Sequence, residues 1–213
     1  MKLPSVRNRL SREFYNRDPS TVARELLGRP LVRRIGRTWI GGRIVETEAY
    51  LSSCDPASHS ARGPTPSNLA MFGKPGTLYV YPIHAKYCLN AVTEPEGTGS
   101  AVLIRAIEPI WGIPRMQWNR NQLDDRKLTR GPAMLCQALG IDREFDHLDL
   151  TGNTNVRILS DSVQIPQVTT TPRIGISQAK EQKLRFIVDG NRYVSGRSRD
   201  HQREARSSLR DSL

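Results

Sequence analysis

The sequence predicts one mixed domain of the α+β class, in which strands joined mainly by hairpins are flanked by helices. Three observations lead there. The chain has 213 residues, below the ~250 at which single cores stop growing. Apolar residues make up 37% before the 16 glycines are added, enough for a packed core and too many for a disordered basic chain. Strand-like and helix-like stretches alternate with short turn signals, and there is no internal repeat, low-complexity block or interior linker.

The elements follow in order. Asp18 caps a short helix over Thr21–Leu27, with Pro19 in its first turn and Gly28 as a left-handed stop. Leu31-Val32 begins a strand, and a turn at Gly36 leads to a second through Thr38-Trp39-Ile40. Beyond Gly41-Gly42, Arg43 to Leu51 is the clearest strand. Its alternation places Val45, Thr47, Ala49 and Leu51 on one face and Ile44, Glu46, Glu48 and Tyr50 on the other. Residues 52–68 read as a loop long enough to suspect function. Lys74-Pro75-Gly76 turns into a strand over Thr77–Ile83, with Tyr79 and Tyr81 on one face. Ala101–Ile107 is a further apolar strand with Arg105 at its centre. Helices are expected over Ile113–Asn121 and Pro132–Leu139, and extended segments over Thr171–Ser177 and Leu184–Val194, the latter turning at Asp189-Gly190.

Composition excludes several classes. No apolar run approaches the ~18 residues of a membrane span. The opening MKLPSVRNRLSREF has no apolar stretch behind its charges, so no secretory signal is expected. Cys54, Cys88 and Cys136 are scattered and odd in number, which argues against a disulfide scaffold and for a reducing interior. The formal charge of +11, from 32 Lys+Arg against 21 Asp+Glu, asks for an anionic partner. Nucleic acid is the leading choice and an anionic membrane surface the second. The basic tail over residues 197–213 has too few apolar residues for membrane insertion and is expected to be solvated.

A few residues break the pattern. Glu48 and Arg105 each sit inside a strand-like segment, where a lone buried charge is costly and a pair satisfies itself. The plain reading of such a pair is a structural salt bridge, with catalysis the alternative, and Glu46 competes with Glu48 for the role of acid. Tyr50 shares the Glu48 face. His59 follows Asp55 by four residues in the long loop, where an ordinary surface histidine is the plain alternative to a functional one. His84 and Cys88 have an i, i+4 spacing, but no second pair of ligands supports zinc. Tyr79, Tyr81 and Tyr87 are packing residues by default and become candidates for stacking bases only in so basic a chain.

The blocks RIVETEAYLSSCDPASHSARGPTPSN, MFGKPGTLYVYPIHAKYCLN, AVLIRAIEP, GPAMLCQALGI, PRIGIS and LRFIVDGNRYVS follow one another in that order. Together they resemble the alkyladenine (3-methyladenine) DNA glycosylase family over nearly the whole chain, from about Arg12 to Ser195. The resemblance implies a single compact domain over residues 1–196 around a curved, open-barrel-like antiparallel sheet. It implies a monofunctional enzyme that flips alkylated or deaminated purines, such as 3-methyladenine, 7-methylguanine or hypoxanthine, from duplex DNA and hydrolyses the N-glycosidic bond. By position, Glu48 is the general base, and Arg105 and the backbone carbonyl of Ile174 hold the attacking water. Tyr50 and Tyr81 sandwich the base, His59 meets its edge, and Asn90 on the pocket floor discriminates against the amine of guanine. His84 takes the place of the wedge that fills the gap in the duplex. No metal or other cofactor is implied, and the expected partner is damaged duplex DNA, met by a monomer in the cytoplasm or at a nucleoid. A noncatalytic binder of damaged DNA or structured RNA on the same fold is the alternative.

Three positions depart from the family pattern. The wedge, a tyrosine in mammalian members, is His84 here; TPRN reads Thr65-Pro66-Ser67-Asn68; and GPGKL reads Gly131-Pro132-Ala133-Met134-Leu135, without its lysine.

Overall fold

A computed structural model describes residues 2–3, 5–165 and 167–196, so the basic tail expected over 197–213 lies outside the described residues. The chain opens with a single-turn helix α1 (Arg12–Tyr15) and α2 (Pro19–Leu26). α2 begins at Pro19 with Asp18 as its cap, as expected: Asp18 accepts the Thr21 N–H at 2.8 Å and proline needs no donor in the first turn. Strands β1 (Pro30–Ile35) and β2 (Thr38–Tyr50) form a hairpin, followed by β3 (Leu78–Ile83), β4 (Lys86–Thr93) and β5 (Ser100–Trp111). Helices α3 (Ile113–Arg120) and α4 (Pro132–Leu139) come next, then three short strands, β6 (Val156–Ile158), β7 (Val168–Thr171) and β8 (Arg185–Val188).

The strands make one sheet in the order β3-β4-β5-β2-β1-β6, with β8 on the second half of β2 and β7 on β8. Every described pairing is antiparallel, as expected for hairpin connections. β2 is the spine: it pairs with β5 along one edge and with β1 and then β8 along the other. It continues through Gly41-Gly42, with a register shift against β5 between them, where two separate strands were expected. A Cβ at Gly41 would lie 2.1 Å from the Leu31 carbonyl oxygen, and one at Gly42 1.8 Å from that of Glu108. The two glycines are there to let three backbones meet, so they mark close approach inside a strand and not a turn.

Irregularities in the β2–β5 register follow, between Ile44 and Glu46 and between Glu46 and Thr47. Bulges of this kind sharpen twist and curl a sheet. They also correct the predicted faces: Ile44 joins Thr47 and Ala49 on the core side, and Val45 turns to a second cluster with Ala106 and Ile187. α2 packs on β2 and β5, and α4 on β4 and β5. Their buried residues, among them Val22, Leu26, Leu135 and Leu139, close the main core against Leu78, Leu89, Val102 and Ile104. The opposite faces of the same strands carry Tyr81, Cys88, Asn90, Leu103 and Arg105, and these line an open cleft.

The extended segment expected over Thr171–Ser177 is displaced: β7 lies before it and shares only Thr171, because Pro172 cannot donate to a ladder, and residues 172–177 run as loop along the cleft. The segment expected over Leu184–Val194 is shorter than predicted. β8 ends at Val188, the turn at Asp189-Gly190 forms with Gly190 at φ +68°, and residues 191–196 fold back without strand structure. Within the long loop, His59–Arg62 winds a single 3₁₀ turn.

Candidate active site

The cleft has a volume of about 1050 Å³ and is walled by Tyr50, His59, Tyr79, Tyr81, Asn90, Arg105 and the Ile174–Gln178 segment. Two carboxylates of β2 lie behind it. Glu48 has no solvent exposure. Its Oε1 accepts the Ile174 N–H at 2.8 Å, and its Oε2 accepts the Tyr50 hydroxyl at 2.9 Å and Arg105 Nη1 at 3.2 Å. The three donors come from residues that themselves line the cleft, so Glu48 sits one layer beneath its wall. An ionised carboxylate has about four lone-pair sites, and three are filled here.

Glu46 is equally buried but faces the other way. Its Oε1 accepts Arg185 Nε at 2.6 Å, Ser195 Oγ at 2.8 Å and Arg105 Nε at 3.0 Å, and its Oε2 accepts the Ser195 N–H at 2.7 Å. Arg185 and Ser195 do not line the cleft. Burial works to raise the Glu46 carboxyl, but Arg105, Arg185 and the Ser195 amide outweigh it and hold it below the ordinary value. Burial likewise opposes the charge of Arg105, yet Glu48 and Glu46 bind its proton more tightly than usual. Sequence spacing left the two acids undivided; the structure divides them by their partners.

The aromatic side of the cleft is built from three tyrosines and a histidine. The Tyr81 ring meets His59 edge-on at a centroid distance of 4.5 Å and Tyr79 at 5.5 Å. His59 Nδ1 lies 2.8 Å from the Tyr79 hydroxyl. Burial lowers the affinity of His59 for a proton, so the neutral imidazole prevails at neutral pH. The His59 loop is tied down by Asn68, which donates to the His59 and Gly63 carbonyls at 2.9 and 3.1 Å. Asn90 is buried and gives Nδ2 to the Tyr79 carbonyl at 3.0 Å, which fixes how its amide faces the cleft floor. Tyr79 and Asn68 were missed as organisers, because a strand tyrosine and a loop asparagine look ordinary in sequence.

His84 and Ala85 form the two-residue turn between Ile83 and Lys86, with φ of +45° and +59°. Such turns favour Asn-Gly, so this one, with a Cβ at both positions, is strained. His84 is exposed, and its neighbours Pro82 and Ile83 line the cleft, which sets the histidine beside the mouth. Cys88 is paired across the sheet with Tyr81, away from any metal-like cluster: no group of three or more His, Cys, Asp or Glu fit to hold an ion occurs among the described residues. Ile174 meets Glu48 through its N–H, a contact that was not foreseen beside the role expected of its carbonyl in holding the water. Of the departures, Ser67 lies on the cleft rim within 3.1 Å of Thr65 Oγ1, and Met134 is half-buried in the first turn of α4.

A family model described as methylpurine-DNA glycosylase matches residues 13–192. A Rhodopirellula baltica protein named "Putative 3-methyladenine DNA glycosylase" is 58% identical over 206 residues, covering 94% of this chain and 88% of its own. A Koribacter versatilis protein of the same name is 45% identical, covering 88% and 93%. The Mus musculus protein named DNA-3-methyladenine glycosylase is 44% identical over 88% of this chain and 61% of its own.

Proposed function

The chain belongs to the methylpurine-DNA glycosylase family, and we propose that its cleft receives a damaged purine flipped from duplex DNA and that Glu48 drives its release. The protein is a monofunctional DNA glycosylase of base-excision repair. One observation carries the assignment of chemistry to Glu48: a carboxylate without solvent exposure, held by Tyr50, Arg105 and the Ile174 amide directly behind an aromatic cleft.

A base inside a duplex is out of reach of any side chain, so the nucleotide must leave the stack at a cost of a few kcal/mol. His84 at the strained turn fills the gap it leaves. Tyr50 and Tyr81 return stacking energy of roughly 1–3 kcal/mol per base, His59 meets the base edge as a neutral imidazole, and Asn90 reads the purine from the floor. As the bond from the sugar C1′ to the purine nitrogen breaks, the electron pair leaves with the base and positive charge grows on the sugar. Glu48 stabilises that charge, and its remaining lone-pair site takes the proton of the water that bonds to C1′. Arg105 and the Ile174 carbonyl orient that water. The products are a free purine and an abasic site.

No lysine lines the cleft among the described residues, which supports hydrolysis by water over attack by an amine and leaves the strand intact. Residues 1–196 form the glycosylase domain, and the tail beyond them adds nonspecific phosphate contact. The +11 charge supplies the salt-sensitive, sequence-independent part of DNA binding. No helix among the described residues is long and apolar enough to cross a membrane. The corresponding proposal is a monomer acting in the cytoplasm or at the nucleoid, a location that the family's role in DNA repair supports. No observation favours the noncatalytic alternative.

The test is direct. Purified protein incubated with hypoxanthine- or 3-methyladenine-containing duplex should yield strand breaks only after alkali. Absence of alkali-sensitive sites on both substrates would overturn the reading.

A further inference from the structure

A buried ion pair joins the stacking half of the centre to the hydrolytic half. Asp55 and Arg173 have no side-chain exposure and meet through two bonds, at 2.6 and 2.7 Å. Asp55 also accepts the Leu51 N–H at 3.0 Å and the Ala57 N–H at 3.2 Å, which ties the start of the His59 loop to the end of β2. Arg173 Nη1 also donates to the Ala49 carbonyl at 3.0 Å. Its guanidinium lies 4.6 Å from the centroid of the Tyr50 ring, and the next peptide gives its N–H to Glu48.

A purine stacked on Tyr50 must take the ring face that Arg173 does not occupy. An aromatic face attracts cations, but a guanidinium already seated on the far side draws on the same π electrons and repels a second cation through the ring. Asp55, bound to the guanidinium edge, offsets that repulsion. We propose that Asp55–Arg173 is a positioning pair that sets the charge preference of the site, Arg173 weighing against cationic N-alkylated purines and Asp55 moderating it. The same pair holds Tyr50 and the Ile174 amide in register with Glu48. This inference rests on the glycosylase reading above.

A merely structural pair would slow excision of every lesion alike. The discriminating measurement is single-turnover excision of a cationic base, 7-methylguanine, and a neutral one, hypoxanthine, by folded variants compared at one pH. Asp55→Asn leaves the guanidinium uncompensated and should lower the cationic-to-neutral rate ratio by about threefold or more. Arg173→Gln removes the cation and should raise the ratio by a similar factor. Arg173→Lys keeps the charge without the fork, so it should slow both bases while leaving the ratio near that of wild type.

Ratios that stay fixed, or that move the same way in Asp55→Asn and Arg173→Gln, overturn the proposal. Should a single variant fail to fold, the double variant carries the test. Its ratio must move toward the cationic purine, because the guanidinium and not the carboxylate lies against the ring, and an unchanged ratio refutes it. Wild type excising neither base would overturn the glycosylase reading itself, a result distinct from normal excision with unmoved ratios.

Discussion

The Tyr50 hydroxyl donates to Glu48 Oε2 at 2.9 Å, so the ring proposed to stack on the base belongs to the residue that holds the carboxylate proposed to act on it. Burial and the neighbouring Glu48 both make that hydroxyl harder to ionise, which keeps it a donor throughout the working pH range. The proposal thus joins binding and hydrolysis through one side chain.

Tyr50→Phe separates them. The ring remains and the bond to Glu48 is lost, so affinity for a lesion duplex should stay within about twofold while base release slows by roughly tenfold, the weight of one hydrogen bond to a charged group. Tyr50→Ala should lose both. Binding assays paired with single-turnover excision check this; a Phe variant with full excision would detach the hydroxyl from the chemistry.

Glu46 gives a prediction about stability. Its carboxyl is held below the ordinary value of 4.5, so its contribution is fully present above that value and is lost as pH falls through the lower folded-state value. Glu46→Gln should destabilise the protein by about 3 kcal/mol at neutral pH, the loss of one partner from a buried ion pair. Acid should narrow the gap to wild type below 4.5. Urea unfolding at a series of pH values measures it. Excision by this variant should be reduced, through a less well aimed Arg105, but not abolished.

The wedge turn can be tested against its own strain. His84 and Ala85 hold positive φ, at roughly 1–2 kcal/mol for each residue with a Cβ. His84→Gly should therefore leave thermal stability equal or higher while weakening binding to a lesion duplex. A fluorescent base analogue opposite the lesion would report the loss of flipping. Unchanged flipping would remove His84 from that role.

Half of this centre was legible in the sequence. Glu48, Tyr50 and Arg105 stood out because charged and hydroxylated side chains interrupt strands that are otherwise apolar, and strand periodicity placed Glu48 and Tyr50 on one face. The bulge at Val45 left no mark, since a single extra residue exchanges Ile44 and Val45 without changing composition. β4 went unassigned because Cys88 and Asn90 face the cleft, which gives the strand a polar stripe where a core was expected. Arg173, Ile174 and Ser195 reach Tyr50, Glu48 and Glu46 from loops, across chain separations that no periodicity encodes. Only the resemblance pointed to Ile174, for its carbonyl beside the water, and the bond from its N–H to Glu48 is an addition that the structure makes.

On the proposed function, Glu48 performs the hydrolysis within a cleft that binds without it. Glu48→Gln preserves shape and removes the charge. Measured on a hypoxanthine duplex, this variant should bind as tightly as wild type or nearly so and produce no alkali-sensitive sites, while Glu46→Gln retains measurable excision. Excision by Glu48→Gln at a rate near that of wild type would contradict the account.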